Sequence, residues 1–150
     1  MFKKILVPYD YSEQSQRALR HAVELAGTSP GCQVVVFNTL QQIPPSIGMQ
    51  MALDTQGRNE DVEEFREDAI SNLKREASHA IGETSKDIDV KYNVIIGGYP
   101  SDRILEVEKQ EGADLIVMGS VGRTGIKKFK FGSVSRKVVE ASQCPVMIVH

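Results

Sequence analysis

An α/β fold is predicted for this chain: one domain over residues 1–150, with a doubly wound parallel sheet of five strands and helices on both faces. Three observations lead there. Short β-branched apolar runs alternate with helical patterns along the whole length. The runs are continuous rather than alternating, as strands buried on both faces require. A chain of 150 residues, 41% hydrophobic and 25% charged, has the size and composition of one ordinary core and no second domain.

The elements follow in order. The first strand is "ILVP" at 5–8. Ser12 offers an N-cap hydroxyl, and Ala18, Ala22, Leu25 and Ala26 recur at helical spacing behind it. The second strand is "VVVF" at 34–37. Val62, Phe65, Ala69, Leu73, Ala77 and Ile81 form the stripe of a long amphipathic helix of about six turns. "VKYNVII" at 90–96 alternates at its start and turns apolar at its end, a weaker third strand. Pro100, followed by Ser101 and Asp102, opens a shorter helix that carries Ile104, Leu105 and Val107. "LIVM" at 115–118 is the fourth strand, Val134, Val138 and Ala141 define the last helix, and "VMIV" at 146–149 is the last strand.

Five strands and four helices imply right-handed crossovers. The strand order expected is 3-2-1-4-5, which sets the first and fourth strands side by side and the last strand at an edge. Residues 40–58, "LQQIPPSIGMQMALDTQGR", are read as one long connection leaving the carboxyl edge of the sheet. Connections of that length in a compact fold are functional or mobile. Ile47, Met49 and Met51 are its exposed-looking apolar residues, suited to shielding a ligand or covering a partner.

The totals exclude several classes. A formal net charge of −2 gives no argument for nucleic acid or an anionic membrane as partner, and neither is expected. Cys32 and Cys144 lack metal-ligand spacing and sit beside apolar runs, as inert core thiols do. The opening "MFKKILVPYD" is too short for a signal-peptide core, and no stretch reaches the ~18 apolar residues of a membrane helix. The expected location is the cytoplasm. His21, His79 and His150 are far apart, and no nucleophile, base and orienting acid share a local arrangement, so no catalytic residue is assigned.

The stretch "VMGSVGRTGIKKFKFGSVSRKVV" carries the chemistry. Ligands of open parallel sheets bind beyond the carboxyl ends of the strands where the order reverses. There the first strand ends at Pro8, Tyr9 and Asp10, and the fourth at Met118 and Gly119. Glycines let backbone amides approach an anion and permit turns with φ above zero. Gly132 and Ser133 then start the last helix, whose amides and dipole favour phosphate, and Ser133 and Ser135 add hydroxyls. Arg123, between glycines, is the basic residue placed to meet phosphate, while Lys127, Lys128 and Lys130 suit a solvated face. Phe129 and Phe131 suit packing of the loop onto the body. Asp10 has two compatible readings, capping the first helix with Ser12 or holding a metal. Neither GxxxxGK[ST] nor GxGxxG is present.

Gly119-x-x-Gly122, nine residues, then Gly132-Ser133 resembles the G-2x-G-9x-G-[ST] signature of the ATP-binding branch of the universal stress protein family. "KKILVPYDYSEQSQRAL" is similar to that family's opening, "GGYPSDRI" to its turn before the third helix, and "GADLIVMGSVGRTGIKKFKFGSVSRKVVEASQCPVMIVH" to its C-terminal half. The resemblance covers the whole chain and implies a Rossmann-like fold that binds ATP or another adenine nucleotide. It implies Mg2+ or Mn2+ with the phosphates, near Pro8, Tyr9 and Asp10, with Asp10 on the metal. Thr39 falls where the family's main chain meets adenine, with threonine where an apolar residue is frequent. Gly119, Ser120, Val121, Gly122, Arg123, Thr124 and Gly125, with Gly132, Ser133, Val134 and Ser135, match the ribose and phosphate loop, and Met118 just before it is counted with the binding residues.

The function expected is an ATP-binding stress-response protein working as a nucleotide-dependent sensor or switch. Two alternatives stand beside it: a weak metal-dependent ATPase without a P-loop lysine, and a nucleotide-independent interaction module docking through 40–58. The protein partner is left unassigned. The last strand, 145–150, is an apolar run at a sheet edge, which invites a homodimer by antiparallel pairing about a two-fold axis.

Overall fold

Each continuous apolar run becomes a strand because both faces of the sheet are covered by helices. The computed structural model describes residues 1–122 and 131–150. The strands are β1 (Lys4–Pro8), β2 (Gln33–Leu40), β3 (Asp89–Ile96), β4 (Leu115–Gly119) and β5 (Val146–Val149), all parallel, in the order β3-β2-β1-β4-β5. The expected order 3-2-1-4-5 therefore holds, with β1 and β4 paired at the point where it reverses.

The helices are α1 (Glu13–Gly27), α2 (Pro45–Leu53), α3 (Glu60–Ile81), α4 (Pro100–Glu111) and α5 (Ser133–Ala141), with a 3-10 turn at Gly82–Ser85. Ser12 caps α1, its hydroxyl accepting from the Ser15 amide at 3.1 Å. Asn59 caps α3 in the same way, accepting from the amides of Asp61 and Val62. Pro100 opens α4 and Gly112, at φ 64°, closes it in the left-handed conformation that favours glycine.

Two apolar layers result. Under α1 and α3, Ile5, Val7, Val34, Val36 and Val117 of the sheet meet Ala18, Ala22, Leu73 and Ala77. Under α4 and α5, Leu6, Val35, Phe37, Ile116 and Met118 meet Ile104, Val107 and Val138. Strand periodicity sends alternate residues to opposite layers, so one register serves both.

The structure has five α-helices among the described residues where four were expected, because residues 40–58 contain α2. Pro45 suits a first helical position, and methionine, alanine and leucine are good helix formers. No α2 residue is buried, so the apolar stripe that marks a packed helix is missing from its sequence. Ala141, expected on the packed side of α5, is exposed at the helix end. No described helix is long and apolar enough to cross a membrane.

Leu73 is fully enclosed and Leu53 largely exposed. Leu73→Ala is expected to lower unfolding stability by about 2–5 kcal/mol. Leu53→Ala should stay within about 0.5 kcal/mol of the parent. Urea unfolding of the two variants side by side checks both.

Candidate functional site

β1 stops before its neighbour does. Its pairing with β2 ends at Pro8 opposite Phe37, while β2 runs on to Leu40. The last rung is the Tyr9 amide donating to the Phe37 carbonyl at 2.7 Å. The chain then turns away into α1, and the carboxamide of buried Asn38 donates to the Tyr9 carbonyl at 2.8 Å. That carbonyl would otherwise take the next ladder bond from Thr39. Residues of a central parallel strand address its two neighbours alternately. Phe37 faces β1 and Leu40 faces β3, where its carbonyl accepts from Gly97. By that alternation the Thr39 amide and carbonyl are directed past the end of β1, where the β1–β2 register has stopped.

They point into a cavity of about 450 Å³ at the carboxyl edge of the sheet. Pro8, Tyr9 and Asp10 border it from the end of β1, and Thr39 from β2. Met118, Gly119, Ser120, Val121 and Gly122 border it from the end of β4, and Gly132, Ser133, Val134 and Ser135 from the start of α5. Every sequence-predicted site residue among those described thus borders one volume. Arg123, Thr124 and Gly125 lie outside the described residues, as do Lys127, Lys128, Phe129 and Lys130.

Of the two reasons expected for these glycines, the turn conformation is not the one the structure shows. Gly119, Gly122 and Gly132 are absent from the described residues with positive φ, so turn conformation does not demand them. Close approach does. A Cβ on Gly119 would lie 2.8 Å from the Gln14 Cβ, because α1 packs directly against the end of β4. One on Gly122 would lie 2.5 Å from Asp10 Oδ2, because the glycine loop passes beside that carboxylate. One on Gly132 would meet the Ser120 carbonyl at an ordinary 3.5 Å.

The α5 end is built around that carbonyl. Ser120 donates its amide to Val149 at 2.9 Å, and its carbonyl accepts from both the Gly132 amide and the Ser135 hydroxyl at 2.7 Å. Ser135 is buried, so its hydroxyl proton is committed to this clamp rather than offered to a ligand, contrary to expectation. Ser133 is exposed. Gly132 is the N-cap of α5 and makes no side-chain cap bond, so the amides of the first turn border the cavity uncapped.

Asp10 joins the entry turn of α1. Its Oδ1 accepts from the Ser12 amide at 3.0 Å, one residue after Tyr11 at φ 67°. A side chain in the left-handed region is strained, and such residues gather at functional turns. The Tyr11 ring meets the Tyr9 ring edge-on at 5.3 Å, and its hydroxyl accepts from Asn72 of α3 at 3.4 Å. The Tyr9 side chain itself belongs to the layer under α1 and α3. Burial, reinforced by Tyr11, Glu76 and Asp10, pushes the Tyr9 hydroxyl up to about 12.

Sequence reasoning missed Ser12 and Ser15 on the α1 side, Phe37, Asn38 and Gln41 on β2 and beyond it, and Pro100 and Ile104 on α4. Phe37 and Ile104 also belong to the core, and their second role carries no sequence signal. Phe131 borders the cavity too, its ring edge-on to His150 at 6.3 Å. All three histidines are exposed and none borders the cavity. Burial pushes both cysteine thiols up, which disfavours the thiolate form.

A model of the universal stress protein family matches residues 1–150. The chain is 34% identical over 155 residues to Universal stress protein MJ0577 of Methanocaldococcus jannaschii, covering 99% of this chain and 95% of that one. The solved structure of the MJ0577 protein matches with a TM-score of 0.71 at 29% identity, covering 99% and 96%. Universal stress protein YxiE of Bacillus subtilis is 32% identical over 157 residues, spanning 100% of both chains. A universal stress protein crystallised in complex with cAMP shares the fold, with a TM-score of 0.70, 24% identity, and 99% and 97% coverage.

Tyr9 makes stability depend on alkaline pH. Its folded pKa, about 12, lies above the ordinary value of 10.0, so the folded state holds the proton more tightly. That contribution is complete below pH 10 and is lost as pH rises from about 10 towards 12. Thermal unfolding across this range should show a falling midpoint, and Tyr9→Phe should flatten that fall.

Proposed function

This chain belongs to the universal stress protein family, and from that premise we propose that it is a cytoplasmic ATP-binding protein that acts as a nucleotide-dependent sensor or switch in a stress response. The observation that carries the proposal is the pairing of two chemistries in one cavity of about 450 Å³. At one end the Thr39 amide and carbonyl offer a donor beside an acceptor. Adenine presents the complement along one edge, an acceptor ring nitrogen next to an amino donor. At the other end, the uncapped first turn of α5 and the glycine loop offer main-chain amides and a helix dipole to phosphates. The cAMP complex of a fold neighbour supports the capacity of the fold, and the ligand of this chain rests on its own residues.

A divalent ion fits the donor set. Asp10 is the single carboxylate bordering the cavity among the described residues, and no described cluster of three or more metal-ligating side chains exists. Mg2+ characteristically takes one or two carboxylates and completes its shell with phosphate oxygens and water. Asp10 would hold the ion, which would neutralise charge on the bound phosphates. The switch would run through the same residue, since Asp10 bonds the entry turn of α1 and lies beside Gly122.

The reading includes a homodimer through residues 145–150. β5 is an edge strand, and its Met147 is 39% exposed. Antiparallel pairing of two such edges about a two-fold axis would satisfy their main-chain groups and cover that side chain.

Gly122→Ala places a methyl group against the Asp10 carboxylate and should weaken ATP binding by about tenfold or more in calorimetry, with little change in melting temperature because the residue is exposed. Gly132→Ala, which has ordinary clearance, should weaken it less. A parent protein that takes up no ATP at millimolar concentration would refute the reading. Sedimentation should show a dimer that Met147→Glu converts to monomer; a monomeric parent would remove the dimer alone.

A further inference from the structure

Helix α2 is predominantly apolar, with Ser46 and Gln50 its two polar side chains, yet none of its residues is buried. Helices of that composition are ordinarily enclosed. Met49 and Leu53 stand 67% and 74% exposed. Gly48 within the helix costs ~1 kcal/mol relative to alanine. Nine residues are also too few to hold an isolated helix in water. The support comes from α3. Asp54, which ends α2, accepts from the amides of Gln56 at 3.0 Å and Asn59 at 2.9 Å, and Asn59 is the N-cap of α3. A hollow of about 430 Å³ opens at this junction, lined by Gln50, Leu53, Asp54 and Asn59 among others, Arg58 being its one basic residue.

Charge beside the apolar helix is one-sided. Residues 54–68 hold seven carboxylates against two arginines, a local charge of −5 in a chain whose total is −2. Glu60, Asp61 and Glu63 suit the dipole at the start of α3. Glu64, Glu67 and Asp68 lie beyond the first turn, where that explanation fades. All three are exposed and have no ion-pair partner among the described residues, whereas Glu63 is paired with Arg66. With Glu60 they recur at i, i+4, i+7 and i+8, which puts them on one face of α3.

We propose that α2 and the acidic face at the start of α3 form a docking surface for a basic amphipathic helix of a partner protein. The apolar side of such a helix would cover Met49 and Leu53, and its lysines and arginines would meet the unpaired carboxylates. Methionine adapts its shape to the partner it packs against. Anionic lipid is disfavoured by the same carboxylates. The surface is distinct from the cavity, which no α2 residue borders, so this inference stands apart from nucleotide binding.

The probe is a labelled helical peptide of about 18 leucines and lysines, and the control replaces every lysine by glutamate. Fluorescence anisotropy is read on the full chain at about 0.1 M salt. The lysine peptide should bind and the glutamate peptide should not. Met49→Ser with Leu53→Ser should weaken binding by about tenfold or more. Glu64→Gln, Glu67→Gln and Asp68→Asn together should remove most of its salt dependence, and Gln110→Ser, exposed on α4 across the sheet, should leave it unchanged. Circular dichroism verifies that all of these exposed-site variants remain folded, and the α3 variant tests the surface even if the α2 variant loses its helix. Equal affinity for both peptides would overturn the proposal, as would unchanged affinity in the α2 and α3 variants. Loss of self-association in the α2 variant, with peptide binding intact, would assign the face to a second copy of this chain.

Discussion

The carboxyl edge of the sheet takes its shape from where β1 ends. A strand that stops one rung before its neighbour leaves main-chain groups of that neighbour without a ladder partner, and buried groups of that kind are costly unless something else satisfies them. Here the Asn38 carboxamide takes the Tyr9 carbonyl, and β1 swings into α1 through Asp10 and the strained Tyr11 turn. What remains open is the Thr39 edge, facing the cavity. On the other side of β1, β4 ends in glycine, so α1 can press against it and bring Asp10 beside the loop that follows. The cavity is therefore the consequence of a topological reversal combined with two close backbone approaches.

Its two ends are held by different means. The Thr39 end is framed by the parallel ladder of β2 with β1 and β3. The α5 end depends on one carbonyl: Ser120 accepts from Gly132 and Ser135 and fixes the start of α5 against the end of β4, while the Ser120 amide ties the same point to β5. The edge strand and the helix start are thus joined through a single residue. A partner pairing with β5 and a ligand at α5 would act on the same short stretch of main chain, which is a physical route by which assembly and ligand binding can influence each other.

Much of this was legible in the sequence because the physics is local. Continuous valine and isoleucine runs have few alternatives to buried strands, and Ser12 and Pro100 mark helix starts by their own hydrogen-bonding chemistry. The glycine spacing pointed to the right edge of the sheet. Its physical reason did not show, since the obstacle at Gly122 is a carboxylate more than a hundred residues earlier in the chain, and no window of sequence contains both. Ser135 was open to misreading for the same reason: whether a hydroxyl serves a ligand or a carbonyl depends on the fold. The direction of the Thr39 main chain follows from register, which the sequence implies only once strand order is known. Helix α2 escaped because stripe-based reading detects helices that pack, and this one presents its apolar residues to solvent.

The central claim is that one ligand bridges the open Thr39 edge and the uncapped start of α5. Backbone amide NMR during titration with ATP and Mg2+ tests it directly. Signals of Thr39 and Ser133 should move together and saturate with a single dissociation constant. A titration in which Thr39 stays still while Ser133 responds, or in which neither moves at millimolar ATP, would contradict the account.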